Sequence, residues 1–598
     1  METYRLLGVD YGTTVSSVYQ MIMNSPSNQN NGDSDSYIAF HGNDCYFGTA
    51  AKKKMGNEGY QVVYELKRVI GLDEDDESID EDKEKWPFKI VGNDRGKACI
   101  QLELPFNGET ITRTVDPEVL VAQYLNHLLE ERVENRLRCK AVFTIPAKFS
   151  NVQREAMKSA VNQLRLADVR FFPEPTAAAM AYIRESPSIV DNSCIVVYDF
   201  GGGTFDVSVL RYSHKDFTVL YTTGDAHLGG ADIDNSLMDY VVKLLQRVEP
   251  GFRLSSYRTK SNAKRLFEEI KCMVSTQEPY TLYASDIDRK YEREGSEPVN
   301  ITKAMLREVC APFIQRTIAI LREVFDRPHD GFRAEEIKYI LPVGGCSNIP
   351  FVLEALEIAF PKVKVLRAPD PTHMVAKGAC YLAQRVFSTA PDLSCHYDVL
   401  PQSIGIRSNY SSITVMRRGT PADTEVALDT MVPEYDDAES FTIVLYQGNC
   451  EPFSEKDCIG RILVPIAHPG PRDNCPIDVK LKYTSNGLLD VVVYVRGIEE
   501  KRGTFMDKWC NEREEEVKKQ YSEFESFFEP GERQRNKIGE ILDCQEELKK
   551  RLRKMGKEDE YERIIKRQYS AKGLDDMSMI QLDKVLEGLQ RKVEECTV

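Results

Sequence analysis

One motif occurs twice in this chain, and a sequence that repeats it has few folds open to it. Residues 195–210 read IVVYDFGGGTFDVSVL: an apolar run into Asp199, the corner Gly201-Gly202-Gly203-Thr204, then a second run alternating with polar Asp206 and Ser208. Two strand-like runs split by consecutive glycines predict a tight β-hairpin. Glycines let backbone N–H groups approach an anion without a Cβ in the way. An Asp closing the first strand beside such a corner is placed to hold a hydrated divalent cation.

Residues 6–15, LLGVDYGTTV, repeat the arrangement: an apolar strand, Asp10, Gly12 and Thr13-Thr14. Two Asp-bearing phosphate loops about 190 residues apart predict a duplicated nucleotide fold with the ligand between its halves. Neither copy contains GxxxxGK[ST], so this is not a Walker A loop.

Composition narrows the class. At 598 residues, the chain is long enough for about four domain-sized units. A net charge of −16 argues against a nucleic-acid or anionic-membrane binder. No run approaches the roughly 20 apolar residues of a membrane-spanning helix, and the opening METYRLLGVD has no signal-peptide pattern. The 15 cysteines are scattered with no CxxC pair, which speaks against a zinc site or disulfide framework. A cytoplasmic location, with the nucleus as alternative, is the expectation.

Six stretches, in this order, carry a resemblance: LLGVDYGTTVSSV, VVYELKRVIG (62–71), FFPEPTAAAMAY (171–182), VVYDFGGGTFDVSVL, GDAHLGGADIDN (224–235) and ILPVGGCSNIPFV (340–352). From residue 4 to roughly residue 500 the chain resembles the Hsp70 chaperone family, as a divergent member. The resemblance implies an α/β actin-like ATPase domain of two duplicated lobes over residues 1–388 and a linker at 389–398. It further implies an all-β peptide-binding sandwich at 399–504 and a C-terminal α-helical lid at 505–598. The strand-rich text from 399 supports the sandwich, with Asn486-Gly487 as a hairpin turn. The lid segment is charged and helix-forming, with breaks at Pro530-Gly531, Gly556 and Gly573.

The resemblance also assigns roles. Lys67, Glu174 and Asp199 would order the attacking water and magnesium, and Thr204, with Thr13, would contact the γ-phosphate of ATP. Asp10, Asp199 and Asp206 would serve Mg²⁺, with K⁺ a further candidate ion. The nucleotide, as ATP or ADP, would lie against Asp10, Gly12, Thr13, Thr14, Gly201, Gly202, Gly203 and Thr204. Gly229 and Gly230 open a helix whose N-terminus suits a phosphate. Glu268, Lys271 and Ser275 share one helix face and, by resemblance, hold the adenosine, with Gly344, Gly345 and Asn348 nearby. Cys272 and Asn348 stand where the family has two adenine-facing arginines. Pro146 and Arg154 match a pair that relays the nucleotide state, but Lys148-Phe149 departs from the family's tyrosine there.

Unfolded apolar peptides, a J-domain co-chaperone near Arg170 and a nucleotide exchange factor are the implied partners. The linker, DLSCHY at 392–397, keeps one leucine, and the ending EECTV lacks the family's EEVD tail. A non-cycling, ATP-binding exchange factor or scaffold is the alternative function, and an actin-fold sugar kinase is a more distant one. Two expectations are local. Residues 113–138 are expected as one helix with Asp116 as N-cap, and the acidic run 73–85 as a solvated surface.

Overall fold

The computed structural model describes residues 4–387 and 400–527 apart from short internal stretches, parts of 540–552, and the helix Met579–Glu595. The linker at 389–398, the Asn486-Gly487 turn and the breaks at Pro530-Gly531, Gly556 and Gly573 lie outside the described residues.

The duplication is visible in strand order. The first five-stranded sheet runs Asp168–Pro173, Cys139–Ile145, Arg5–Asp10, Val15–Ile22, Asn28–Asp35. The second runs Lys364–Val365, Ile337–Val343, Ser193–Phe200, Phe205–Ser213, Asp216–Asp225, which is the same order. In each, three antiparallel strands are extended by two parallel ones. Asp10 is the last residue and Asp199 the last but one of a sheet's central strand, and such strands, buried on both faces, read as continuous apolar runs.

Each half has its own core, one holding Phe40, Trp86, Tyr124 and Phe143, the other Tyr198, Phe200, Phe205 and Phe267. A third cluster forms the seam between them, where the helices Glu174–Glu185 and Met374–Val386 pack together through Ala177, Ala178, Met374 and Ala379. Residues 403–504 form two antiparallel four-stranded sheets around one core that includes Ile404, Ile443, Val479 and Val493.

Two expectations need correction. Residues 113–138 are not one helix: strand Glu109–Val115 precedes helix Pro117–Glu130, and a short turn of helix, Arg136–Arg138, follows. Pro117 does open the helix, as its fixed φ favours. The Asp116 carboxylate, however, accepts from Cys99 Sγ at 2.9 Å and pairs with Arg513. The acidic run is also not wholly solvated, since Asp82 is buried and ion-paired.

The first helix of the C-terminal segment, Asp507–Phe527, rests on the first half of the α/β domain. Val517, Tyr521 and Phe524, spaced by four and three, form one helix face and join that half's core; Phe524 meets Phe40 edge-on, with centroids 5.8 Å apart. Arg513 spans Asp116 at 3.1 Å and Glu118 at 2.8 Å, both acids nearly fully buried. Burial, with Asp116 adding to it, leaves Glu118 raised, although Arg513 beside it opposes the shift.

Candidate active site in the interlobe cleft

The second motif forms the predicted hairpin, with Asp199 and Asp206 opposite each other across the turn. Gly344, at φ +84°, brings the end of the neighbouring strand against it. A Cβ there would fall 2.5 Å from both Asp199 Oδ1 and the Phe200 carbonyl oxygen, so glycine is required. Across the cleft, the Thr13 side chain approaches Gly203, and Thr14 approaches Gly202. The two glycine corners thus face each other.

Between them lies a cavity of about 420 Å³ whose wall includes Thr13, Lys67, Lys148, Glu174, Thr204 and Asp206. Lys67 follows strand Gln61–Tyr64 through Glu65, which takes a left-handed conformation (φ 58°) and turns the chain into the cleft. Its Nζ lies 2.5 Å from Glu174 Oε1, with both side chains buried. Glu174 opens helix Glu174–Glu185, set there by Pro173 and Pro175.

Burial disfavours the ammonium, but Glu174, Asp10 and Asp199 surround it, so Lys67 is raised and stays protonated. Burial likewise pushes Glu174 up to about 7; Lys67 opposes the shift and Asp10 adds to it. Asp199 is raised by burial and by its acidic neighbours Glu174, Asp206 and Asp10. Asp10 is raised mainly by burial. Such crowded carboxylates favour a bound cation. Among the described residues no three His, Cys, Asp or Glu side chains form a metal cluster. A divalent ion held by Asp10 and Asp199 would thus take most of its ligands from phosphate oxygens and water, as Mg²⁺ does.

The remaining candidates fall into place unevenly. Thr14, Gly202, Gly230, Glu268 and Lys271 line a narrow second cavity. There, Glu268 is paired with Lys52 at 2.9 Å, and Lys271 with Asp234 at 2.9 Å. Ser275 donates to the Lys271 and Cys272 carbonyls of its own helix, and Asn348 to Gly345 and Thr372. The helix after Gly229 does not offer its first amides to a ligand, because Gly230 and Ala231 donate to the Gly201 and Gly202 carbonyls. Gly12 presents its carbonyl to Ser36 Oγ at 2.8 Å. Arg170 pairs with Asp168 at 2.6 Å.

Three features at the site were missed by sequence reasoning. Arg68 donates to the Gly203 carbonyl at 2.5 Å and pairs with Asp82 at 2.8 Å, while His227 Nε2 meets Asp82 at 3.0 Å. This network ties one half to the glycine corner of the other; apolar Ile79 and Trp86 flanking Asp82 were the available signal. Lys148 sits on Asp206 at 2.7 Å, so one expected cation-binding carboxylate already holds an ammonium.

The third is His373, which faces Asp370 through Nδ1 at 2.7 Å and Asp33 through Nε2 at 2.8 Å. Burial opposes the charged ring, but hydrogen bonds to Asp33 and Asp370 outweigh it and raise its pKa. Asp370 in turn is lowered by His373 and Lys377, against the opposing effect of burial. A raised histidine contributes its full stability below its ordinary value of about 6.5 and loses it as pH climbs through the higher folded value. Thermal unfolding measured from about pH 6 to pH 9 should therefore show a fall in Tm that His373→Gln flattens.

Comparison with known proteins is consistent with this geometry. The family described as Hsp70 protein matches residues 6–595. The chain belongs to the Hsp70 family. It is 30% identical over 503 residues to Heat shock cognate 70 kDa protein 3 of Dictyostelium discoideum, covering 81% of this chain and 77% of that one. It is 28% identical to a Heat shock cognate HSP70 protein of Trypanosoma brucei brucei, over 81% of this chain and 72% of the relative. A ribosome-associated molecular chaperone of Eremothecium gossypii is 29% identical, over 81% of this chain and 79% of the relative. The Hsp70 family pairs an actin-like ATPase domain with a substrate-binding domain. No helix among the described residues is long and apolar enough to cross a membrane.

Proposed function

We propose that this Hsp70 is an ATP-dependent chaperone that binds extended apolar peptide segments and cycles by hydrolysing ATP. The observation that carries the reading is the buried Lys67–Glu174 pair, set between two facing glycine corners beside Asp10 and Asp199. Phosphoryl transfer to water depends on positioning and charge neutralisation more than on covalent catalysis. Lys67, held charged with one N–H engaged by Glu174, keeps donors for the attacking water or a γ-phosphate oxygen. Glu174, poised near neutrality, accepts from that water. The Thr13 and Thr204 hydroxyls donate to phosphate. Mg²⁺, when bound near Asp10 and Asp199, supplies charge neutralisation of the phosphates.

A J-domain partner and a nucleotide exchange factor would act on this cycle, with Arg170 as the proposed contact for the former. Single-turnover ATP hydrolysis with and without an unfolded apolar peptide tests the reading, and the peptide should speed phosphate release.

A further inference from the structure

We propose that Lys148 is a built-in monovalent cation for the phosphate side of the cleft, replacing an exchangeable ion at Asp206 and helping to hold the terminal phosphate. The inference rests on the ATP-binding reading above.

The two partners come from opposite halves: Lys148 follows strand Cys139–Ile145, and Asp206 lies on strand Phe205–Ser213. Their 2.7 Å pair therefore crosses the cleft, and both side chains line the cavity shared by Thr13, Lys67, Glu174 and Thr204. The Lys148 side chain is about one-third exposed (35%), so its ammonium is reachable from the cavity. Asp206 engages one of its three N–H donors, and an anion in the cavity can take the others.

The loop that carries Lys148 is fixed. Phe149 N–H donates to the Pro146 carbonyl at 3.1 Å, and buried Arg154 donates to the Phe149 carbonyl at 3.2 Å and the Ala147 carbonyl at 3.5 Å. Ser150 and Gln153 form a reciprocal cap on the helix that follows. A lysine ammonium is a compact point charge; delivered on such a loop, it sits at Asp206 whatever salt surrounds the protein. It offsets one of the carboxylates Asp10, Glu174, Asp199 and Asp206, as Lys67 offsets another.

The test is calorimetric titration of ADP with inorganic phosphate present, in buffers whose sole monovalent cation is K⁺ or choline. The wild-type affinity should agree within about twofold between the two. Lys148→Met should weaken ADP binding with phosphate by about tenfold or more in choline and regain part of it in K⁺, while Lys148→Arg should stay close to wild type. Wild-type binding that needs K⁺, or a Lys148→Met protein equal to wild type in both salts, would overturn the assignment while leaving ATP binding intact. If Lys148→Met fails to fold, the wild-type salt comparison and Lys148→Arg still decide. Absence of ADP binding by the wild type in either salt would overturn the parent reading, and this one with it.

Discussion

Lys67→Ala is expected to slow single-turnover ATP hydrolysis by about 10²–10³-fold, the range for losing one preorganised donor at a developing charge. Nucleotide binding should change far less, because Thr14, Gly202, Glu268 and Lys271 line a second cavity in which Lys67 takes no part. Stability should also hold up better than the burial of the pair suggests. Removing one partner of a buried ion pair usually costs about 3–5 kcal/mol, because the other charge is stranded. Here Glu174 is already raised to about 7 by burial, so without the ammonium it takes up a proton instead of remaining charged. Rapid-quench hydrolysis, ADP titration and thermal melting on the same preparation separate these effects. A Lys67→Ala protein that hydrolyses ATP at the wild-type rate would remove the residue from the chemistry.

The second large effect concerns Arg513. Its guanidinium bridges Asp116 and Glu118, whose side chains are 2% and 3% exposed. Arg513→Met keeps the stem and removes the charge, leaving two buried carboxylates facing each other beside Cys99. At about 3–5 kcal/mol for a broken buried pair, the helix Asp507–Phe527 should lose about 10²-fold or more of its hold on the ATPase domain. Hydrogen exchange reads this directly, as lost protection in residues 513–527 and in the opening turns of helix Pro117–Glu130. Unchanged exchange in both segments would mean that Val517, Tyr521 and Phe524 hold the helix without the ion pairs.

Much of the fold was legible because its signals are local. The paired Asp–glycine corners are contiguous in sequence, and they determined the hairpins, the duplication and the facing loops. Residues around those corners (Lys67, Glu174, Asp199 and Asp206) come to one cleft. Contacts set by tertiary distance were not legible. Arg513 pairs with acids almost 400 residues earlier, and a spacing of four and three on its helix marks an apolar face without naming what covers it. Asp82 lay inside a run of acids and looked solvated, since sequence does not show that Arg68 and His227 converge on it. The 113–138 error arose where a strand, a proline-started helix and a short helical turn follow one another with helix-compatible composition. Lys148 was read only as a departure from the family's tyrosine; its meaning came from finding Asp206 in reach.

Nucleotide chemistry in the cleft, tied to peptide binding in the strand-rich domain, is the central claim. Single-turnover hydrolysis of ATP, with and without an unfolded apolar peptide and with Lys67→Ala as control, tests it most directly. The expected result is phosphate release that the peptide accelerates and that the control slows by about 10²–10³-fold. Hydrolysis indifferent to peptide, or tight ATP binding with no turnover, would contradict it and favour a protein that holds nucleotide as a scaffold or exchange factor.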